Sequence, residues 1–197
     1  MSTDCKIEQA VAALKRKGSV LLVPTETVYG LVCDWEDSQA RDRIYAMKHR
    51  AENKPLAAFL PDVSFAESLC GCPLPENAEK LARAFMPGPI TLVVPDVSGS
   101  TFGFRIPDHP FILSLLKLYG RALASTSANR SGQPPALEVG YALETLAEQP
   151  DFTVDGGALP KDSIASTVVL VNADNSYKIL REGLITQSMI ESALKQN

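Results

Sequence analysis

The stretch STVVLVNADNSYKILRE, residues 166–182, decides how the chain is arranged. Two runs rich in valine, leucine and isoleucine flank the polar segment NADNS, and Asn, Asp and Ser between two such runs mark a hairpin. The two strands of a hairpin are antiparallel. Working outward, strands and helices follow one another without strict alternation. This predicts an α/β fold built on a mixed sheet flanked by helices, rather than a purely parallel sheet. SVLLVP (19–24), GLVCDW (30–35), PLAAFL (55–60), ITLVVP (90–95), FGFRIP (102–107), RALAS (121–125) and FTVD (152–155) read as the other strands. In FGFRIP, Phe102 and Phe104 fall on one face and Gly103 and Arg105 on the other.

The first helix is signalled by Ile7, Val11 and Leu14, with Ser2, Thr3 and Asp4 available as caps and Gly18 as stop. DSQARDRIYAMKH (37–49) carries Ala40, Ile44 and Met47 on one stripe, capped by Asp37 or Ser38. Further helices are expected in SFAESL, NAEKLARAF, LEVGYALETLA and SMIESALK, and in PFILSLLKLYG, which has Pro110 at its start and Gly120 at its stop. No repeat or linker interrupts the pattern, so residues 1–197 are expected to form a single domain.

Composition narrows the function classes. The chain is 45% hydrophobic and 21% charged, with a formal net charge of −4. That profile is ordinary for a globular domain and argues against wholesale coating of nucleic acid or of an anionic membrane. The N-terminus lacks the apolar core of a secretory signal, no run reaches the length of a membrane span, and a cytoplasmic location is expected. Cys5, Cys33, Cys70 and Cys72, with only His49 and His109 beside them, suggest neither a disulfide framework nor a zinc set, and no metal ligands are assigned. CGCP (70–73) reads as a loop. There is no P-loop, no Rossmann glycine turn and no G-x-S-x-G elbow.

What remains is a set of cations and hydroxyls at strand and helix ends. KHRAENKP places Lys48 and Arg50 two apart where a helical stripe ends. In an extended backbone both point the same way and His49 the other, with Lys54 close behind. These cations either complement the helix dipole or converge on a site. In STSANRSGQPP (125–135), an extended chain turns Ser125, Ser127 and Asn129 to one side, where hydroxyls and an amide suit phosphate and ribose oxygens or simply cap the next helix. PTETVYG (24–30) brings Thr25, Glu26, Thr27 and Tyr29 to the exit of the first strand. Thr101, Arg105, Ser166 and Arg181 are further contributors.

In order, PTETVYGL, KHR followed by KP, MPGPITLVV, FRIPDHP, STSANRSGQPP, STVV and REG resemble the YrdC-type threonylcarbamoyl-AMP synthases, and the likeness covers about Gly18 to Gly183. The resemblance implies a twisted, open YrdC-like sheet with a large concave face. It also implies a nucleotidyltransferase that makes threonylcarbamoyl-AMP and pyrophosphate from L-threonine, bicarbonate and ATP, for N6-threonylcarbamoyladenosine at tRNA position 37. By that analogy Lys48 and Arg50 are catalytic. Thr25, Thr27, Tyr29, Arg105, Ser125 and Ser166 surround threonine and bicarbonate, and Arg50, Lys54, Thr101, Ser127, Asn129 and Arg181 surround ATP. Mg²⁺ arrives with ATP, and tRNA and the downstream threonylcarbamoyl-transferase proteins are further partners. The chain looks like the short bacterial form. A dsRNA- or tRNA-binding module and a paralogue without synthase activity are the alternatives on the same fold. Two positions depart from the pattern: Ala51 stands where a proline often follows K-x-R, and Phe59 stands where some longer members carry a histidine that touches the threonine.

Overall fold

The computed structural model describes residues 3–195; Ser2, one of the expected caps, lies outside them. The chain runs α1 (Thr3–Leu14), β1 (Leu21–Val23), β2 (Gly30–Asp34), α2 (Ser38–Lys48), β3 (Ala57–Phe59), α3 (Ser64–Cys70), α4 (Glu76–Phe85) and β4 (Ile90–Pro95). It continues with β5 (Thr101–Arg105), α5 (Pro110–Tyr119), β6 (Leu123–Ser127), α6 (Val139–Thr145), β7 (Phe152–Thr153), β8 (Thr167–Val171), β9 (Tyr177–Arg181) and α7 (Gln187–Lys195). Among the described residues the nine strands join one sheet in the order β7-β1-β2-β6-β3-β5-β4-β8-β9. Three pairs are parallel, β1 with β7, β3 with β5 and β4 with β8, and the rest are antiparallel. The expected hairpin is β8–β9, and the sheet is mixed as expected.

Helix signals act where the sequence puts them. The Asp37 carboxylate accepts the Ala40 N–H at 3.1 Å and caps α2. Pro110 opens α5, and Gly120 closes it in the left-handed region at φ 71°. Cys70 ends α3, and CGCP turns away from the helix there.

Period-two alternation sorts the side chains into layers. Ala58, Ile90, Leu92, Val94, Phe102, Phe104, Val169 and Val171 form one face of β3, β5, β4 and β8 and are buried with residues of α3, α4 and α7. At the other end, β1 and β2 are covered on both faces. Leu21, Val23 and Val32 pack with α1 and α5, while Leu22, Leu31 and Cys33 pack with α2. The face that α1 and α5 cover over β1 and β2, and as far as Leu123 of β6 and Phe59 of β3, continues over the rest of β6 and β3 and over β5, β4 and β8, where among the described residues no core cluster sets a helix against it. That uncovered face carries Ser125, Ala57, Gly103, Arg105, Thr91, Val93 and Val168, which register pairs side by side across the strands.

Candidate active site

The uncovered face is the floor of a cavity of about 310 Å³, within the usual range for small-molecule sites. Its wall includes Thr25, Thr27, Tyr29, Arg50, Thr101, Arg105, Ser125, Ser127, Ser166 and Arg181. Sequence reasoning singled out every one of these. An apolar strip of Ala57, Phe59, Val93, Gly103 and Val168 runs between the polar groups.

The PTETVYG segment is held by its own hydroxyls. Thr25 Oγ1 donates to Val28 O at 2.7 Å and accepts the Thr27 and Val28 N–H groups. Thr25 is thus the organiser of the turn as well as part of the wall. Tyr29 Oη donates to Gly157 O at 2.7 Å and accepts Gly156 N–H at 3.0 Å, which ties the loop after β7 to the cavity rim. Thr27 Oγ1 accepts from both Nη atoms of Arg105 at 3.2 Å. Arg105 is 5% exposed. Its Nε donates to Gly88 O, its Nη2 pairs with Glu26 at 2.6 Å, and its guanidinium lies over the Phe59 ring. Burial pushes its pKa down and the Glu26 charge opposes that. Gly88 must be glycine here, because a Cβ would stand 2.4 Å from Phe85 O.

Three expected residues lie off the wall. The sequence reading assumed an extended backbone through KHR, but α2 runs through Lys48 and His49 follows in the left-handed region at φ 47°. Lys48 is therefore turned inward, 1% exposed, and donates to the carbonyls of Ser127 and Asn129. It braces the end of β6 from behind. Lys54 is exposed, and its carbonyl accepts from Tyr45 Oη and Arg50 Nε. Arg50 also donates to Pro55 O. The strand ends at Ser127, so Asn129 does not continue its face. Asn129 Oδ1 accepts from Ser127 Oγ at 2.5 Å, and Nδ2 donates to Arg130 O and Gln133 O at 2.8 Å. It shapes the loop that aims Ser127.

Burial, assisted by the Arg50 charge, pushes the Lys48 ammonium down to about 7. Below about 7 the lysine is charged in the folded and unfolded chain alike, and its burial weighs on the native state. Between about 7 and the ordinary 10.5 the native state releases a proton that the unfolded chain keeps. The stability of wild type minus that of Lys48→Gln should therefore rise with pH across that window. A rise of about 1–2 kcal/mol is expected, less than the whole shift because two carbonyls hold the ammonium. Urea unfolding of both proteins near neutral and near pH 9.5 checks this, and a flat difference would refute it.

At the far end of the cavity, Thr91 Oγ1 and Ser166 Oγ are 2.8 Å apart. Thr91 is a wall residue that the sequence reading missed, since only the β4–β8 pairing brings these positions together. Arg181 donates through Nε and Nη2 to Ser166 O and through Nη2 to Ser166 Oγ. It reaches the cavity because of an irregularity in the ladder: Val169 pairs with Ile179, yet Val168 pairs with Arg181. The extra residue, Leu180, turns Arg181 away from the core side that Ile179 occupies. Partial burial, then the charges of Arg105 and Arg50, lower the Arg181 pKa. Three arginines thus converge on one cavity.

A concave, hydroxyl-lined cleft with converging arginines on an open mixed sheet is the donor set that a small polyanion requires. The sequence model of the Sua5_yciO_yrdC family, described as "Telomere recombination", matches residues 13–183. The chain belongs to the Sua5/YciO/YrdC family. It is 36% identical over 203 residues to the threonylcarbamoyl-AMP synthase of Bacillus subtilis, covering 98% of this chain and 58% of that protein. The Chromohalobacter salexigens threonylcarbamoyl-AMP synthase is 36% identical over 176 residues, 84% of this chain and 92% of that one. The crystal structure of Pyrococcus abyssi Sua5 complexed with L-threonine superposes with a TM-score of 0.88 at 31% identity, covering 98% of this chain and 58% of that one. The chain therefore spans little more than half the length of two of these relatives. Escherichia coli YciO shares the fold, with a TM-score of 0.77 at 24% identity over 93% of this chain and 91% of that one. Among the described residues no helix is long and apolar enough to cross a membrane.

Proposed function

We propose that this chain is an L-threonylcarbamoyladenylate synthase, joining L-threonine, bicarbonate and ATP into threonylcarbamoyl-AMP with release of pyrophosphate and water. The observation that carries the reading is the composition of one cavity wall: Arg50, Arg105 and Arg181 among six Ser and Thr hydroxyls already named from the sequence. Bicarbonate, the threonine carboxylate, the carbamate and the triphosphate are all anionic, and a site that joins them must offset their repulsion with cations and neutral donors.

The threonine amine condenses with bicarbonate and loses water to give a carbamate. A carbamate oxygen then attacks the α-phosphorus in line with the departing pyrophosphate. That step is governed by positioning and by charge stabilisation, and needs no dedicated acid–base pair. Arg105, Thr27, Ser125 and Ser166 are assigned to threonine, and Arg50, Arg181, Thr101 and Ser127 to the nucleotide. Lys48 and Asn129 are assigned to the support of Ser127. Among the described residues the wall holds no carboxylate. That donor set fits Mg²⁺ carried by the triphosphate rather than by the protein. The product is an activated mixed anhydride, which suits transfer to a tRNA adenosine by a separate protein.

Pyrophosphate release from ATP and Mg²⁺ tests the reading, comparing L-threonine, L-serine and no amino acid, each with and without bicarbonate. Release that requires both threonine and bicarbonate is expected. ATP binding without such release would overturn the synthase reading in favour of a paralogue with another acceptor.

A further inference from the structure

Arg105 is the most deeply buried cation on the cavity wall, and it is already paired. Glu26 Oε1 accepts from Arg105 Nη2 at 2.6 Å and from the Asp108 N–H at 3.0 Å. The two side chains are 6% and 19% exposed. Gly88 O takes the Nε–H, and Thr27 Oγ1 accepts from both Nη atoms. A guanidinium has five N–H groups, and these contacts leave one, on Nη1, without a protein acceptor among the described residues. Glu26 Oε2 is buried with no hydrogen-bond partner among the described residues, so Arg105 and one backbone amide make the carboxylate's hydrogen bonds. The His109 imidazole also faces it, and burial, opposed by the charges of Glu26 and Asp108, lowers the pKa of that imidazole and favours its neutral form. The pair offers a ligand a directed donor and no net charge.

Arg50 and Arg181 are different. They donate to backbone carbonyls and to the Ser166 hydroxyl, and neither has a carboxylate partner among the described residues. The cavity is thus neutral around Thr27 and Arg105 and positive around Arg50 and Arg181.

We infer that Glu26, which is not part of the cavity wall, sets the charge class of the amino-acid end. By cancelling the Arg105 charge it makes that end prefer a net-neutral zwitterion to a monoanion of the same shape. The inference rests on the threonine reading above and deepens it. A monoanion entering a neutral buried end gives up its hydration with no net counter-charge, whereas a zwitterion brings its own. Without Glu26, an uncompensated Arg105 would also draw phosphate oxygens from the adjoining end of the cavity. Glu26 acts through Arg105 and is a positioning residue.

The test is calorimetric binding of L-threonine and of 2,3-dihydroxybutanoate, the monoanion in which a hydroxyl replaces the amino group. It is run on wild type, Glu26→Gln and Glu26→Asp. Wild type is expected to prefer threonine by about tenfold or more. Gln keeps an oxygen for Arg105 and Asp108 but no charge, so the preference should fall about tenfold in Glu26→Gln. It should persist in Glu26→Asp, with circular dichroism verifying that each variant is folded. If Glu26→Gln does not fold, the wild-type ratio decides. Wild type binding the monoanion as tightly as threonine, or a folded Glu26→Gln with an unchanged ratio, would overturn the inference and leave the threonine reading standing. Wild type that binds no threonine would remove both.

Discussion

Arg181→Ala is expected to lower ATP-dependent pyrophosphate release about a hundredfold or more, the usual cost of removing one preorganised charge-stabilising donor, while leaving the fold as stable as before. The two effects separate because Arg181 is held among like charges. Partial burial, then the charges of Arg105 and Arg50, lower its pKa. Glu26 offsets the Arg105 charge, and Arg50, with no carboxylate partner among the described residues, leaves the ligand-free protein with a repulsion that a bound triphosphate would relieve. Alanine removes that repulsion along with the hydrogen bonds to Ser166. At this exposed edge of the sheet the two losses should cancel to within about 0.5 kcal/mol. On the synthase reading catalysis would have no such compensation, since a hydroxyl lining cannot replace a cation beside a transferring phosphoryl group. Steady-state kinetics with ATP varied, alongside thermal melts of both proteins, provide the check. A melting temperature that falls in step with activity would make Arg181 a structural residue. Activity within about threefold of wild type would remove it from the nucleotide end altogether.

The route by which Arg181 reaches the cavity marks where sequence reading stops. The hairpin was legible because NADNS separates two aliphatic runs, and the two faces of β5 were legible because Phe102 and Phe104 alternate with Gly103 and Arg105. Both are local patterns with a fixed period. On strict alternation, however, Ile179 and Arg181 share a face. Only the irregularity opposite Val168 and Val169 separates them, and nothing in YKILRE announces it. Lys48 fails for a related reason. Spacing two apart means one side only in an extended chain, and the helix that bears Met47 on its stripe carries on through Lys48. Thr91 and Glu26 were missed as partners because their contacts cross 75 and 79 positions of sequence. Hydroxyls and acids at strand ends are visible in a sequence, but which of them meet is set by strand order.

Gly183→Ala should unfold the same corner from beneath. A Cβ on Gly183 would stand 2.5 Å from Thr167 N, 2.6 Å from Ala165 O and 2.8 Å from Ser166 C. All three atoms are backbone, so no side chain can swing aside. Nor can the segment retreat, because Thr167 N–H is held by Pro89 O at 2.9 Å and Thr167 Oγ1 exchanges hydrogen bonds with Ile185 O and N–H at 2.8 and 3.1 Å. Relief demands that the Ala165–Thr167 backbone shift. That moves the Ser166 hydroxyl from Thr91 and the Ser166 carbonyl from Arg181. A loss of about 2–4 kcal/mol in urea unfolding is expected, at or above the top of the range for overpacking because only backbone can yield. Pyrophosphate release should fall more than tenfold in protein that remains folded. Gly140→Ala is the matched control. Its Cβ meets nothing within 4 Å and Gly140 lies in α6, so that substitution should be neutral or stabilising by a few tenths of a kcal/mol. If the two alanine variants unfold at the same urea concentration, the glycine of the REG motif is there for some reason other than this close approach.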